Sequence, residues 1–304
     1  MLQLVGNKRF MAKRFLVALA IGLATGSFCW FLLHKLGGNA GDFRWAIHLA
    51  QRIVARQNPY DTSYEQYPLP AAFVALPFLR LPPDVAAALF YGISSFVLAL
   101  ALTRENFSRL AIFLAYPYWA GLLTAQWSAL ISASAFFPLL LPATMMKPQV
   151  GLPVFLTRLS RRGLIACVVV GALSLLVWPS WPLMWFRQRQ YYEHFIPLLV
   201  FPGPLLLLAL CRYRDRDAWL LLLSSVMPQR WFFDSFTLWL IPKSRRQLIF
   251  TAGVSWFAGI WRWFHLPLSF TEVGRASVLF FYLPMLFVIL LRKNAASDAP
   301  ADSQ

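Results

Sequence analysis

The sequence predicts an all-α polytopic membrane protein with about ten transmembrane helices, and three observations predict it. The first is composition: of 304 residues, 59% are hydrophobic and only 13% charged, where a soluble domain carries about a quarter charged residues. The second is the length of the apolar runs. Residues 15–33, 85–102 and 276–291 each approach, at about 1.5 Å per residue of helix, the ~30 Å hydrocarbon core of a bilayer. The third is periodicity. These runs lack the alternation of barrel strands, and backbone groups in lipid must be satisfied within the segment, which makes the runs helices.

The net charge of +16 raises the possibility of nucleic acid, but the basic residues come in short clusters between apolar runs rather than along one soluble face. They act as topology signals, and no nucleic-acid partner is expected. Cys29 and Cys167 fall inside predicted spans and Cys211 directly after one, and the three form no CxxC pattern, so cysteine says nothing about chemistry. Lys8, Arg9, Lys13 and Arg14 precede nearly twenty apolar residues with no A-x-A-like site after them, which fits a retained signal-anchor better than a cleaved signal.

With residues 8–14 in the cytoplasm, span 15–33 delivers residues 34–84 to the outside, and 85–102 returns to Arg104 and Arg109. Residues 110–125 lead out to Gln126, and the proline-broken stretch 128–156 returns to Arg158, Arg161 and Arg162. Residues 163–178 go out to an outer loop, 179–195, and 196–210 return to Arg212, Arg214 and Arg216. Residues 218–242 have basic residues at both ends and predict a broken, re-entrant pair turning near Pro228. Residues 67–81 are apolar but short and proline-bounded, and predict an interfacial segment. Spans 248–265 and 276–291 return the chain to Arg292 and a polar, disordered tail, 293–304. Residues 1–292 thus form one transmembrane domain in an inner (plasma) membrane, with both termini cytoplasmic and no internal repeat.

In the first outer loop, Phe43, Ile47, Ala50 and Val54 share one helical face, and Arg44, His48 and Arg52 recur at i, i+4 on another. This pattern predicts an amphipathic helix in the membrane interface. Asp42 stands at its start, either as an N-cap or as a general base beside a basic, phosphate-attracting face. Asp61 caps a turn or binds substrate, and Tyr64, beside prolines, suits an interfacial belt. Lys147 lies in the apolar stretch 136–156, where a charge at helix centre costs at least about 2.5 kcal/mol; it is functional, or it snorkels. Arg230 and Asp234 are one helical turn apart and suited to pair with each other. Gln126 is a helix-end hydrogen-bonding group or a ligand. His34, His48, His194 and His265 match no metal spacing; no cofactor or metal is expected.

The order Gly41-Asp42-Phe43, Asn58-Pro59-Tyr60-Asp61, Tyr67-Pro68-Leu69-Pro70, Ala125-Gln126-Trp127 and Lys147-Pro148-Gln149 resembles the DUF2029 proteins. These are glycosyltransferase family 87, polyprenol-phosphate-mannose-dependent mannosyltransferases of the GT-C class. The segment from Ser224 to Trp231 is a weaker match to the family's Ser-Pro-x-x-Trp, and the family's following histidine is replaced by Phe232-Phe233-Asp234. The interval from Gln126 to Lys147 is also shorter than in typical members. The resemblance implies a GT-C-like fold, inverting and metal-independent. It implies transfer of a hexose from a polyprenyl-phosphate donor to a glycan or glycolipid acceptor at the extracytoplasmic face, with membrane lipid as surroundings. Asp42 is the candidate base; Arg44, His48, Asp61, Tyr67, Gln126, Lys147, Gln149 and Arg230 are the candidate substrate-binding residues. Two other readings remain: a transporter or flippase for a lipid-linked anion, and a non-catalytic component of envelope-polysaccharide assembly.

Overall fold

The computed structural model describes residues 2–61, 67–188 and 193–292, with side chains from residue 10 onward. The expectations for Tyr64, for residues 189–192 of the outer loop and for a disordered tail at 293–304 lie outside the described residues. Regular structure among the described residues is helical throughout, with one isolated antiparallel bridge between Phe195 and Gln229.

Helix α1 (Leu2–Lys35) carries the predicted first span. Its exposed face bears Phe15, Leu16, Leu23 and Phe31, side chains suited to lipid. The first outer loop follows with α2 (Phe43–Val54) and the short α3 (Pro70–Ala75), and then α4 (Pro83–Leu102). Helices α1 and α4 meet backbone to backbone: a methyl group added to Gly92 would lie 2.8 Å from the Gly22 carbonyl oxygen and 3.2 Å from Gly26 Cα. Apolar association gains nothing in lipid, so close packing of small residues takes its place.

Two expectations for the outer loop change here. The apolar face of α2 is not turned to lipid. Phe43, Ala46, Ile47, Leu49 and Ala50 are buried against α3 and α4, and only Val54 of the predicted stripe is exposed. Residues 67–81 divide: Tyr67, Leu69, Ala71, Ala72 and Ala75 are buried, while Leu76 and Leu81 remain exposed.

The chain continues through a 3₁₀ stretch, Phe107–Leu114, into α5 (Tyr116–Leu122) and α6 (Ser128–Ser134). A second 3₁₀ stretch, Pro138–Met145, leads to α7 (Pro148–Arg158). Residues 128–156 therefore make three short passes instead of one broken span. The Arg104 guanidinium lies 5.5 Å from the Phe137 ring, Lys147 returns to Gln126, and Arg158 reaches Asp217 at the far end. Prolines 138, 142, 148 and 153 prevent one continuous helix here. One pass and three passes have the same parity, so the alternation downstream is preserved.

Helix α8 (Arg161–Val177) bends by 92° into α9 (Trp181–Gln188). The exposed Leu183 and Phe186 give α9, not α2, the character of a helix lying along an interface. A 3₁₀ stretch, Gly203–Arg212, then leads to α10 (Arg216–Val226), which turns at Pro228 into Phe232–Leu240. The 2.9 Å pair Lys243–Asp217 brings both ends of this segment together, so it is the hairpin that its length predicts. Helix α11 (Arg245–Phe264) opens with a capping box from Ser244 and Gln247. The last helix runs from α12 (Phe270–Ser277) through a π-helical turn into α13 (Leu283–Leu290).

Three helices, Phe10–Lys35, Pro83–Leu102 and Phe270–Leu290, are long and apolar enough to cross a membrane, and a fourth if α8 and α9 count as one broken span. The remaining helical pieces are shorter than a full span, Gly203–Arg212 among them. Basic residues gather at one end. Arg14 reaches Thr103 and the Leu100 carbonyl, and Arg109 donates to the Pro242 carbonyl. Asp217 accepts Arg158, Lys243 and Arg292, and Arg212 donates to the Leu290 carbonyl.

Candidate functional site

At the opposite end, the turn before α2 and the turn after α5 lock together. Gly41 holds φ +53° and lies so close to Thr124 that a Cβ would sit 2.5 Å from that residue's carbonyl oxygen. The Asp42 amide donates to the same oxygen at 2.8 Å. Ala125, at φ +50°, then turns the chain so that Gln126 points inward, fully buried.

Aromatic neighbours in sequence anchor each of these polar residues. Phe43 stacks on Phe90 at 4.2 Å, Trp127 lies 4.7 Å from Phe90, and Tyr67 lies 5.7 Å from Trp127. All four rings are buried, and such contacts add to the area they bury. Phe90 is seven residues into α4, which places this level about 10 Å below the start of that helix. The aromatic floor of the site is buried, while Arg44 and Arg262 are exposed.

Asp42 occupies the N-cap position of α2, yet its side chain makes no capping hydrogen bond. The carboxylate turns instead to Gln126, whose Nε2 donates to Oδ2, and to Tyr67, whose hydroxyl lies 3.5 Å from the same oxygen. Gln126 Oε1 accepts from Lys147 Nζ at 2.8 Å, and Lys147 pairs with Asp234 at 2.6 Å. The Lys147 ammonium also sits 4.7 Å from the Phe233 ring centroid. A buried line of polar groups thus runs from Tyr67 through Asp42, Gln126 and Lys147 to Asp234.

This line corrects two expectations. Lys147 does not snorkel: it is 6% exposed and committed to a carboxylate, which offsets the cost of its burial. Its charge is spent on Asp234 rather than held open for a phosphate. Arg230 and Asp234 do meet, but through the Arg230 backbone amide at 2.9 Å; the side-chain partner of Asp234 is Lys147. The hairpin turn is fixed by paired 2.8 Å hydrogen bonds between Phe195 and Gln229.

Asp42 faces a cavity of about 450 Å³ lined also by Arg44, Trp45, Thr124, Arg230, Trp231 and Arg262, within the usual ~300–1,000 Å³ of small-molecule sites. Arg44 lies over the Trp45 ring at 4.5 Å, and Arg230 is 6.0 Å from the Phe270 ring. The charged groups on this wall are therefore one carboxylate and three guanidinium groups, with planar forks suited to phosphate. Among the described residues no group of three His, Cys, Asp or Glu is placed to hold a metal ion.

The structure thus brings together Asp42, Tyr67, Gln126 and Lys147 in the polar line, and Asp42, Arg44 and Arg230 at the cavity. Asp61 lies elsewhere: it is 67% exposed and pairs with Arg52 at 3.0 Å at the far end of α2. Gln149 is buried, and its carbonyl accepts from Gln229 at 3.5 Å. Neither His48 nor Gln149 lines the cavity. The sequence does not single out Arg262, and it points Asp234 to Arg230 where the structure pairs it with Lys147. Arg262 sits in the last turn of α11 among Trp261, Trp263 and Phe264, where it reads as an interfacial anchor; only the tertiary fold carries it to Arg230. Comparison with protein-family models, with characterised proteins and with solved structures returned no match.

Proposed function

We propose that this chain is an integral membrane glycosyltransferase that moves a hexose from a polyprenyl-phosphate carrier to a glycan or glycolipid acceptor. The observation that carries this reading is the cavity lined by Asp42 together with three arginines. In sugar transfer, an acceptor hydroxyl attacks the anomeric carbon and loses its proton, while the carrier phosphate leaves with the electron pair of the broken C–O bond. Asp42 takes the proton. Arg44, Arg230 and Arg262 stabilise the charge that grows on the departing phosphate. The resemblance to glycosyltransferase family 87 adds the carrier class, mannose as the first donor to try, and an inverting outcome. The basic end faces the cytoplasm by the positive-inside preference, which puts both termini there and the cavity on the extracytoplasmic side of the inner membrane.

The test is transfer of labelled sugar from polyprenyl-phosphate hexoses in purified membranes, at matched protein levels. Asp42→Asn should lower kcat about 100-fold or more, the low end of general-base contributions. Arg262→Ala should weaken transfer about tenfold or more, in line with losing a charge-assisted hydrogen bond to phosphate. Absence of transfer with every donor, together with an Asp42→Asn variant that keeps full cellular function, would overturn the enzyme reading in favour of a lipid-linked anion transporter.

A further inference from the structure

We infer that Asp234 and Lys147, acting through Gln126, are positioning residues that decide which oxygen of Asp42 is the reactive one. An ammonium group only donates hydrogen bonds. Lys147, held by Asp234 at 2.6 Å, therefore obliges Gln126 to present Oε1 to it, at 2.8 Å. The amide has two ends, and with Oε1 so committed, Nε2 faces Asp42 and donates to Oδ2. Tyr67 approaches the same oxygen, and among the described residues no donor reaches Oδ1. The carboxylate is thus held by one oxygen with the other left for a proton.

Asp234 is not simply a counter-ion. Its second oxygen accepts from the Arg230 backbone amide at 2.9 Å, in the turn that carries Arg230 to the cavity wall. The same residue therefore sets the amide that orients Asp42 and the start of the segment bearing one of the three arginines. A pair that merely balanced buried charge would need neither contact, and would be replaceable by a neutral pair of similar size.

That replacement is the experiment. The double variant Lys147→Met/Asp234→Asn removes both charges and the orienting donor while keeping side-chain volume. The infrared difference between each protein and its own Asp42→Asn derivative isolates the Asp42 carboxylate band, whose position follows its hydrogen bonding. The expected result is a double variant that unfolds within a few degrees of the wild type but whose Asp42 band is shifted. Gln126→Leu, which keeps the ion pair intact, should shift the band in the same direction, and serves as the test should the double variant fail to fold. An unchanged band in either folded variant overturns the inference.

The catalytic consequence rests on the transferase reading. There, both folded variants should lose at least about tenfold in kcat, and Gln126→Leu, which leaves Asp234 and the Arg230 turn intact, should do so with the donor KM unchanged. A wild type without transfer activity sinks that reading alone, while the infrared band still decides the positioning role.

Discussion

Gly41 shows how a single side chain, here a missing one, sets the site. Its φ of +53° disfavours any other residue, and the Thr124 carbonyl leaves no room for a Cβ. Gly41→Ala should cost about 2 kcal/mol or more, from left-handed backbone and a clash with main chain that cannot swing away. Thermal unfolding in detergent measures this, and a variant as stable as wild type contradicts the close approach. The glycine-rich approach to Asp42 was legible in the sequence as a helix start. What remained hidden was the carboxylate's direction, because capping and catalysis ask for the same residue at the same position. Gln126, 84 residues away in the chain, and Tyr67 pull the side chain off the helix end.

At the scale of elements, α1 and α4 depend on three glycines rather than on apolar bulk. Gly22 and Gly26 stand one turn apart and face Gly92 across the crossing. Gly92→Ala should destabilise by about 1–3 kcal/mol, the usual range for overpacking, since its methyl would meet backbone atoms of α1. Chemical unfolding of the purified protein tests this, with Gly253→Ala as control, where a Cβ meets nothing within 4 Å. The hairpin at 218–242 was legible from arithmetic: two stretches of about eleven residues are too short for two full spans and have basic residues at both ends. The partner of the α2 apolar stripe was not. A hydrophobic face reads alike whether lipid or protein covers it, and here α3 and α4 cover it.

Across the whole molecule, a basic network closes one end of the bundle. Asp217 is 2% exposed and receives Arg158, Lys243 and Arg292 from three separate segments, at 3.0, 2.9 and 2.8 Å. Asp217→Asn should cost about 3 kcal/mol, since cations drawn toward a buried carboxylate lose it. Asp215→Asn, at a 30% exposed carboxylate with one cation at 2.6 Å, should cost under about 1 kcal/mol. Equal losses in thermal unfolding would contradict Asp217 as the hub.

The sequence by itself determined the helical class with apolar runs long enough to cross a membrane, the gathering of basic clusters at one end, Asp42 and Gln126 as polar residues at helix ends, and Lys147 as a charge out of place in an apolar stretch. Hydrophobicity and charge act over a few turns of one segment, so one segment is enough to read them. The tertiary structure alone decided that Lys147 is neutralised by Asp234, that Asp61 belongs to Arg52, and that Arg262 joins Arg44 and Arg230 around the cavity. A buried charge, and the shape of a cavity, take their meaning from groups that distant segments bring within hydrogen-bond reach. No local pattern records those distances.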